Sequence, residues 1–328
     1  MAELANPEPI IHPLVVTVTP TYNGAAFLAE AMHSVQQQTY PNLIHLILDN
    51  GSTDETPKII ESFKDGQVPL KAHRNEAVLD QRLNWNRAFE LVPENARYIR
   101  LLCDDDTIVP TSIEKMVALA ESDREIGVVG CLQNCIGDVS DFRWPSDQTV
   151  YDGQEALCRA LSDEGTIMPI HLLLRKSLAD QRRPLFDDYM EGAFDMDTVF
   201  DLLTRSKFGF VHEPLGFTRV HENTVTNRLF KDNASWTRDA LDLLLKYGEF
   251  AFGSDYNEEL RRFRRYYLRR IIRWSRAGMP SEHLSIHYDA LRRADWSMSP
   301  FLIGDAVLNW IAVKLGLDHP WRGYPGWQ

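Results

Sequence analysis

Three apolar runs in the first third of the chain each end in a short polar cluster, and this repetition restricts the fold more than any other feature. Val15-Val16-Thr17-Val18 leads into Thr19-Pro20-Thr21-Tyr22-Asn23-Gly24. Residues 43–48 lead into Asp49-Asn50-Gly51-Ser52, and residues 98–103 into Asp104-Asp105-Asp106. Aliphatic, β-branched runs of this length are buried strands. Between them, residues 27–38 place Phe27, Ala31 and Val35 on one helical face, and a second helix is expected from Thr53-Asp54 to about residue 63. Strand, loop, helix, repeated, is the pattern of a parallel sheet covered by helices. The expected architecture is therefore α/β, a Rossmann-like, mostly parallel sheet flanked by helices. A third strand is expected over 70–73, helices over 82–91 and 112–120, and a further strand over 126–131.

Ligands of such sheets collect beyond the carboxyl ends of the strands, so the three polar clusters are expected to share one crevice. Three adjacent carboxylates repel unless a cation neutralises them, and hard oxygen ligands suit Mg²⁺ or Mn²⁺. The plainer alternative is a solvated turn that caps the next helix. A formal net charge of −12 argues against a nucleic-acid partner. It also means that a polyanionic ligand would need local cations. Cys103, Cys131, Cys135 and Cys158 show neither Cys-x-x-Cys pairing nor zinc-finger spacing, and read as reduced thiols. The N-terminal residues lack the basic and apolar regions of a signal peptide, and no apolar run reaches ~18 residues. A cytoplasmic protein is expected.

Val16-Thr17-Val18-Thr19-Pro20-Thr21-Tyr22-Asn23, Ser34 to Pro41 with its glutamine run, and Leu48-Asp49-Asn50-Gly51-Ser52-Thr53-Asp54-Glu55-Thr56 follow one another in order. Asn84-Trp85-Asn86-Arg87-Ala88, Tyr98-Ile99-Arg100 and the aspartate triplet continue the series. Together they resemble family 2 glycosyltransferases, from about Val15 to Asn227. The resemblance implies a GT-A fold, a nucleotide-diphosphate sugar donor (a UDP-sugar favoured), Mn²⁺ or Mg²⁺, and inversion at the anomeric carbon. It implies that Thr19, Pro20, Thr21 and Tyr22 hold the nucleoside, that Asp49 and Asn50 read the base, and that Asn86 belongs to the donor side. Asn50 departs from the commoner acidic pair. Cys103 stands at the first position of the family's Asp-x-Asp-Asp. Asp106 or Asp105 is favoured as direct metal ligand, with Asp104 nearer the ribose or a water. Arg219 and His221 match an Arg-x-His element that contacts diphosphate or metal. Asp195 matches the general base, with Asp197 as its rival; on a helix, residues two apart do not share a face, so only one can aim into the crevice. Arg82 and Arg87 are weaker phosphate candidates.

From about Ser235 the pattern becomes helical only, so residues 1–234 are expected to form the catalytic domain and 235–328 a helical extension. Arginines fall almost all round the expected helix 257–276, which suits packing against acids of the catalytic domain. Peripheral contact with anionic lipid at the inner face of a membrane is the alternative. Trp310, Trp321 and Trp327 permit a homodimer interface. The implied acceptor is a hydroxyl of a saccharide or lipid-linked saccharide, in surface-polysaccharide or glycolipid assembly, with loops 136–151 and 166–189 shaping its pocket. A sugar nucleotidyltransferase would want a glycine-rich phosphate loop where Pro20-Thr21-Tyr22-Asn23-Gly24 stands, and a dehydrogenase would want Gly-x-Gly-x-x-Gly. A catalytically degenerate scaffold on the same fold is the remaining alternative; the acidic triplet and Asp195 argue against it, while Cys103 and Asn50 keep it open.

Overall fold

Strand β1 (Val15–Thr21) is buried along its whole length because it lies inside the sheet, parallel to β2 (Leu43–Asp49) and β4 (Tyr98–Leu101). A strand covered on both faces needs apolar residues on both, hence the unbroken apolar run. Val15 and Val16 enter different core clusters on opposite faces, as the two-residue period of a strand requires. Strand β3 (Leu70–Arg74) closes this edge and keeps Lys71 and His73 exposed. The computed structural model describes residues 12–136, 143–162, 164–190, 192–219, 235–319 and 321.

The first three strands and the helices α1 (Leu28–Gln36), α2 (Thr56–Ser62) and α3 (Gln81–Glu90) occur where the sequence places them. The Asp80 carboxylate accepts from Leu83 N at 2.9 Å and so starts α3. Strand β4 stops two residues earlier than expected, since Leu102 and Cys103 already belong to the turn. Beyond it the sheet becomes mixed. Strand β8 (Leu173–Arg175) runs antiparallel to β4 and to β6 (Ile126–Ile136), which pairs in parallel with β9 (Lys207–Arg219). The short β5 (Thr107–Ile108) and β7 (Val150–Tyr151) add to β9 antiparallel, completing nine strands among the described residues. Strand β6 continues beyond the expected end at Cys131 to Ile136, and β5, β7, β8 and β9 have no counterpart among the expected strands.

Helices α4 (Ser112–Ser122), α5 (Gly153–Leu161), the single turn α6 (Lys176–Ala179) and α7 (Phe194–Leu203) complete the cover. Four helices follow: α8 (Ser235–Phe252), α9 (Tyr256–Arg276), α10 (Ser281–Arg293) and α11 (Pro300–Lys314). Leu241 and Leu244 of α8, Tyr267 of α9 and Ala306 of α11 belong to the same buried cluster as Val16 and Ile99 of the sheet. Although arginines fall almost all round the arginine-rich helix, it carries a distinct buried stripe. Phe263, Tyr267 and Ile271, spaced by one turn each, are buried, and the arginines occupy the rest of the circumference. Cys103, Cys131 and Cys158 are free thiols, and the side chain of Cys135 lies outside the described residues.

Candidate functional site

The three polar clusters meet at the carboxyl ends of β1, β2 and β4. The Thr21 hydroxyl donates to Asp104 Oδ2, joining the first cluster to the third. Burial, reinforced by the charges of Asp105 and Asp106, pushes the Asp104 carboxyl up to about 6, against the pull of Thr21. Gly24 is required at this junction: a Cβ there would lie 2.3 Å from Asp104 Oδ2 and 2.5 Å from Thr21 Oγ1. Thr19 points elsewhere, its hydroxyl 3.0 Å from buried His45 Nε2, and Pro20 is buried. Tyr22 stands exposed at the rim.

Asp49 accepts from Ser52 N at 2.8 Å and from Arg74 Nη1, and Arg74 Nη2 reaches Ser52 O at 2.7 Å. Asn50 faces the chain itself. Its amide donates to Leu79 O at 2.8 Å and accepts from Leu79 N at 2.9 Å, with Asn75 Nδ2 a third partner at 2.9 Å. Asn86 repeats the device, donating to Phe186 O at 2.7 Å and accepting from Phe186 N at 2.9 Å. Two buried asparagines thus clamp segments on either side of the crevice. Arg82 is half-buried with no ion pair among the described residues, whereas exposed Arg87 lies 3.7 Å from Glu90.

Pairing of β5 with the end of β9 carries Asp106 beneath Arg219. Arg219 N donates to Asp106 Oδ1 at 2.9 Å, its Nε to Asp105 O at 3.1 Å, and its Nη2 to Glu30 at 2.6 Å. Asp106 Oδ2 is buried and makes no hydrogen bond with a described residue. His171 Nε2 lies 3.1 Å from that oxygen, but it is directed at Thr218 Oγ1, 3.0 Å away. Cys103, Asp105 and Asp106 each offer a ligand atom, all within 4.8 Å of one another. A buried carboxylate oxygen without a donor, beside a second carboxylate, fits a divalent cation. The Cys103 sulfur is the softer member and suits Mn²⁺ better than Mg²⁺. Asp104, tied to Thr21, stands outside this cluster. His221 lies outside the described residues.

Asp195 and Asp197 open α7 two residues apart and meet opposite surroundings. Asp197 is fully buried and accepts from Arg182 Nη2 at 2.5 Å, Lys246 Nζ at 2.7 Å and Tyr247 OH at 2.7 Å. Burial alone would raise its pKa, yet these hydrogen bonds outweigh it and hold the carboxyl below the usual range. Asp195 is half-buried and receives Met196 N at 2.8 Å. Burial, with a smaller contribution from Asp239, pushes its carboxyl up to about 6. Its charge also adds to burial and the aspartate triplet in raising the Cys103 thiol, so Asp195 lies within electrostatic range of the acidic turn.

Arg74, His171, Arg182, Lys246 and Tyr247 were not anticipated. Each reaches the site from an edge strand, an irregular turn or the C-terminal helices, where no spacing in the sequence marks it.

The family profile described as Glycosyl transferase family 2 matches residues 17–182, which is 166 of 328 positions. An uncharacterised glycosyltransferase of Rickettsia typhi is 28% identical over 232 residues, covering 69% of this chain and 71% of that protein. A putative teichuronic acid biosynthesis glycosyltransferase of Bacillus subtilis, TuaG, is 29% identical over 105 residues, 32% of this chain and 41% of its own. Among solved structures, residues 1–349 of Staphylococcus aureus TarS in complex with UDP-GlcNAc superpose with a TM-score of 0.57 at 13% identity, over 87% of this chain and 93% of that one. A longer TarS structure is matched over 40% of that chain. A Pyrobaculum calidifontis mannosyltransferase in complex with GDP-Man and Mn²⁺ superposes with a TM-score of 0.54 at 17% identity, over 97% of this chain and 84% of that one.

Proposed function

Because the chain belongs to glycosyl transferase family 2 and has the GT-A fold, we propose that it moves a sugar from a nucleotide-diphosphate donor to an acceptor hydroxyl, with inversion. A UDP-sugar is the favoured donor, supported by the UDP-GlcNAc complex of TarS. The observation that carries the reading is a carboxylate cluster at the carboxyl ends of the strands with the raised carboxyl of Asp195, on α7, within electrostatic range of it. Asp195, pushed up to about 6 and with no cationic partner among the described residues, is suited to take a proton from an acceptor hydroxyl. Asp197, held ionised by three donors, positions α7 instead.

Asp105 and Asp106, with Cys103, would hold Mn²⁺ or Mg²⁺, and the ion would offset charge on the departing diphosphate. Arg219 holds Asp106 from behind through its own N–H. The Asn50 clamp fixes the segment beside the base site, so the base is read by Asp49 and by backbone near Leu79 rather than by the Asn50 amide. Thr21 and Tyr22 frame the nucleoside, and Arg82 is a cation available to phosphate. The acceptor is a saccharide or lipid-linked saccharide of surface-polysaccharide assembly, in line with the putative teichuronic acid biosynthesis role of TuaG.

Calorimetric titration of UDP, GDP, CDP and dTDP, with and without Mn²⁺, into wild type and Asp106→Ala tests this reading. Metal-dependent binding of one nucleotide, weakened at least about tenfold in the variant, is expected. No binding of any nucleotide under either condition would leave a degenerate scaffold as the better account.

A further inference from the structure

The outward face of α11 is apolar, and no described residue covers it. Asp305 and Asn309 turn inward, where Arg265 donates to Asp305 at 2.8 and 2.7 Å and Arg269 to Asn309 at 2.8 Å. Helical spacing puts Val307, Leu308, Trp310, Ile311 and Leu315 on the opposite arc, all exposed, with Lys314 the single charge among them. Leu308 is 69% exposed, Trp310 50% and Leu315 67%. A helix apolar on its solvent side needs an occupant for that side.

The cations of α9 identify that occupant. Arg273 follows Arg269 by four residues and Arg276 follows Arg265 by three turns, so both continue the arc on which α11 rests. Both are exposed, and neither makes an ion pair among the described residues. A chain with formal net charge −12 thus places unpaired cations beside its uncovered apolar helix. We propose that α11 lies in the plane of an anionic bilayer, with Leu308, Ile311 and Leu315 in the acyl region. Lys314, Arg273 and Arg276 meet the lipid headgroups, and Trp310 sits at the boundary. A second copy docked through the same face would bring two sets of arginines together across a two-fold axis. Insertion across the bilayer is not the mode: α11 has 15 residues, and no described helix is long and apolar enough to span. The sequence expectation put lipid contact on the arginine-rich helix; in this proposal the apolar contact belongs to α11 and the arginine-rich helix supplies its charged border. It does not depend on the transfer reaction.

Co-sedimentation of the full chain with phosphatidylcholine vesicles, with and without phosphatidylglycerol, tests the proposal. Wild type is expected to bind the anionic vesicles and to be released by salt. The double variant Leu308→Glu, Ile311→Glu is expected to lower partitioning at least about tenfold, and Arg273→Glu, Arg276→Glu to flatten the salt dependence. All four side chains are exposed, so an unchanged thermal transition serves as the folding control. Absence of binding, or binding indifferent to both double variants, overturns the proposal. So does a lipid-free dimer that Leu308→Glu, Ile311→Glu dissociates while vesicle binding is missing, because the face then belongs to a second copy.

Discussion

Asp195 and Asp197 carry the same side chain on the same helical turn, and their chemistry is set by what each one meets. Asp195 meets little more than the Met196 N–H, so burial leaves its carboxyl at about 6. Replacing it by Asn is expected to lower the rate of transfer by about 10²–10⁴-fold with nucleotide binding retained, measured with the donor that binds. In wild type the ionised base disappears as pH falls through about 6, so transfer at pH 5 should be about tenfold below its plateau. The sign for stability is opposite. A raised acid pKa means that the fold carries the cost of the charged form above about 6, a cost absent below the ordinary value of 3.8. Asp195→Asn should therefore melt above wild type at pH 8, with the gap closing as pH falls through this window. The residue types of the site were legible, because carboxylates at a strand end have few other uses. Their partners were not: Lys246 lies 49 residues beyond Asp197.

At the scale of elements, Asp197 joins α7 to α8 and to the segment carrying Arg182. Removing one partner of a buried ion network strands the others, so Asp197→Ala is expected to cost about 3–5 kcal/mol in urea unfolding. Asn50 and Asn86 act similarly without charge, each closing two hydrogen bonds on the backbone N–H and C=O of one distant residue. The central strands could be read because burial on both faces forces an apolar run. Strand β8 could not, since three residues carry no period. Strand β9 could not either, because Glu213 and Pro214 interrupt its pattern and its middle is exposed.

For the molecule as a whole, the expected division after residue 234 separates two chain patterns but not two cores. The same buried cluster contains Ile99 of the sheet, Leu244 of α8 and Tyr267 of α9. A fragment ending at residue 234 would expose that cluster and leave Asp197 without Lys246 and Tyr247. We expect it to aggregate, or to unfold without a cooperative thermal transition, where the full chain gives one. A fragment that melts cooperatively and binds nucleotide would instead make the helical extension a separate unit.

Local order was determined by the sequence alone: which runs become strands, which polar clusters cap them, and hence where a crevice opens. Those features depend on residues adjacent in the chain, whose period and propensity act before any long-range contact forms. The tertiary structure decided which of two aspartates is left with a raised carboxyl, which oxygen of Asp106 stays without a donor, and which C-terminal helix turns an apolar face outward. Each of these depends on desolvation and on partners tens of residues away, and a carboxylate has no fixed chemistry until its surroundings are assembled.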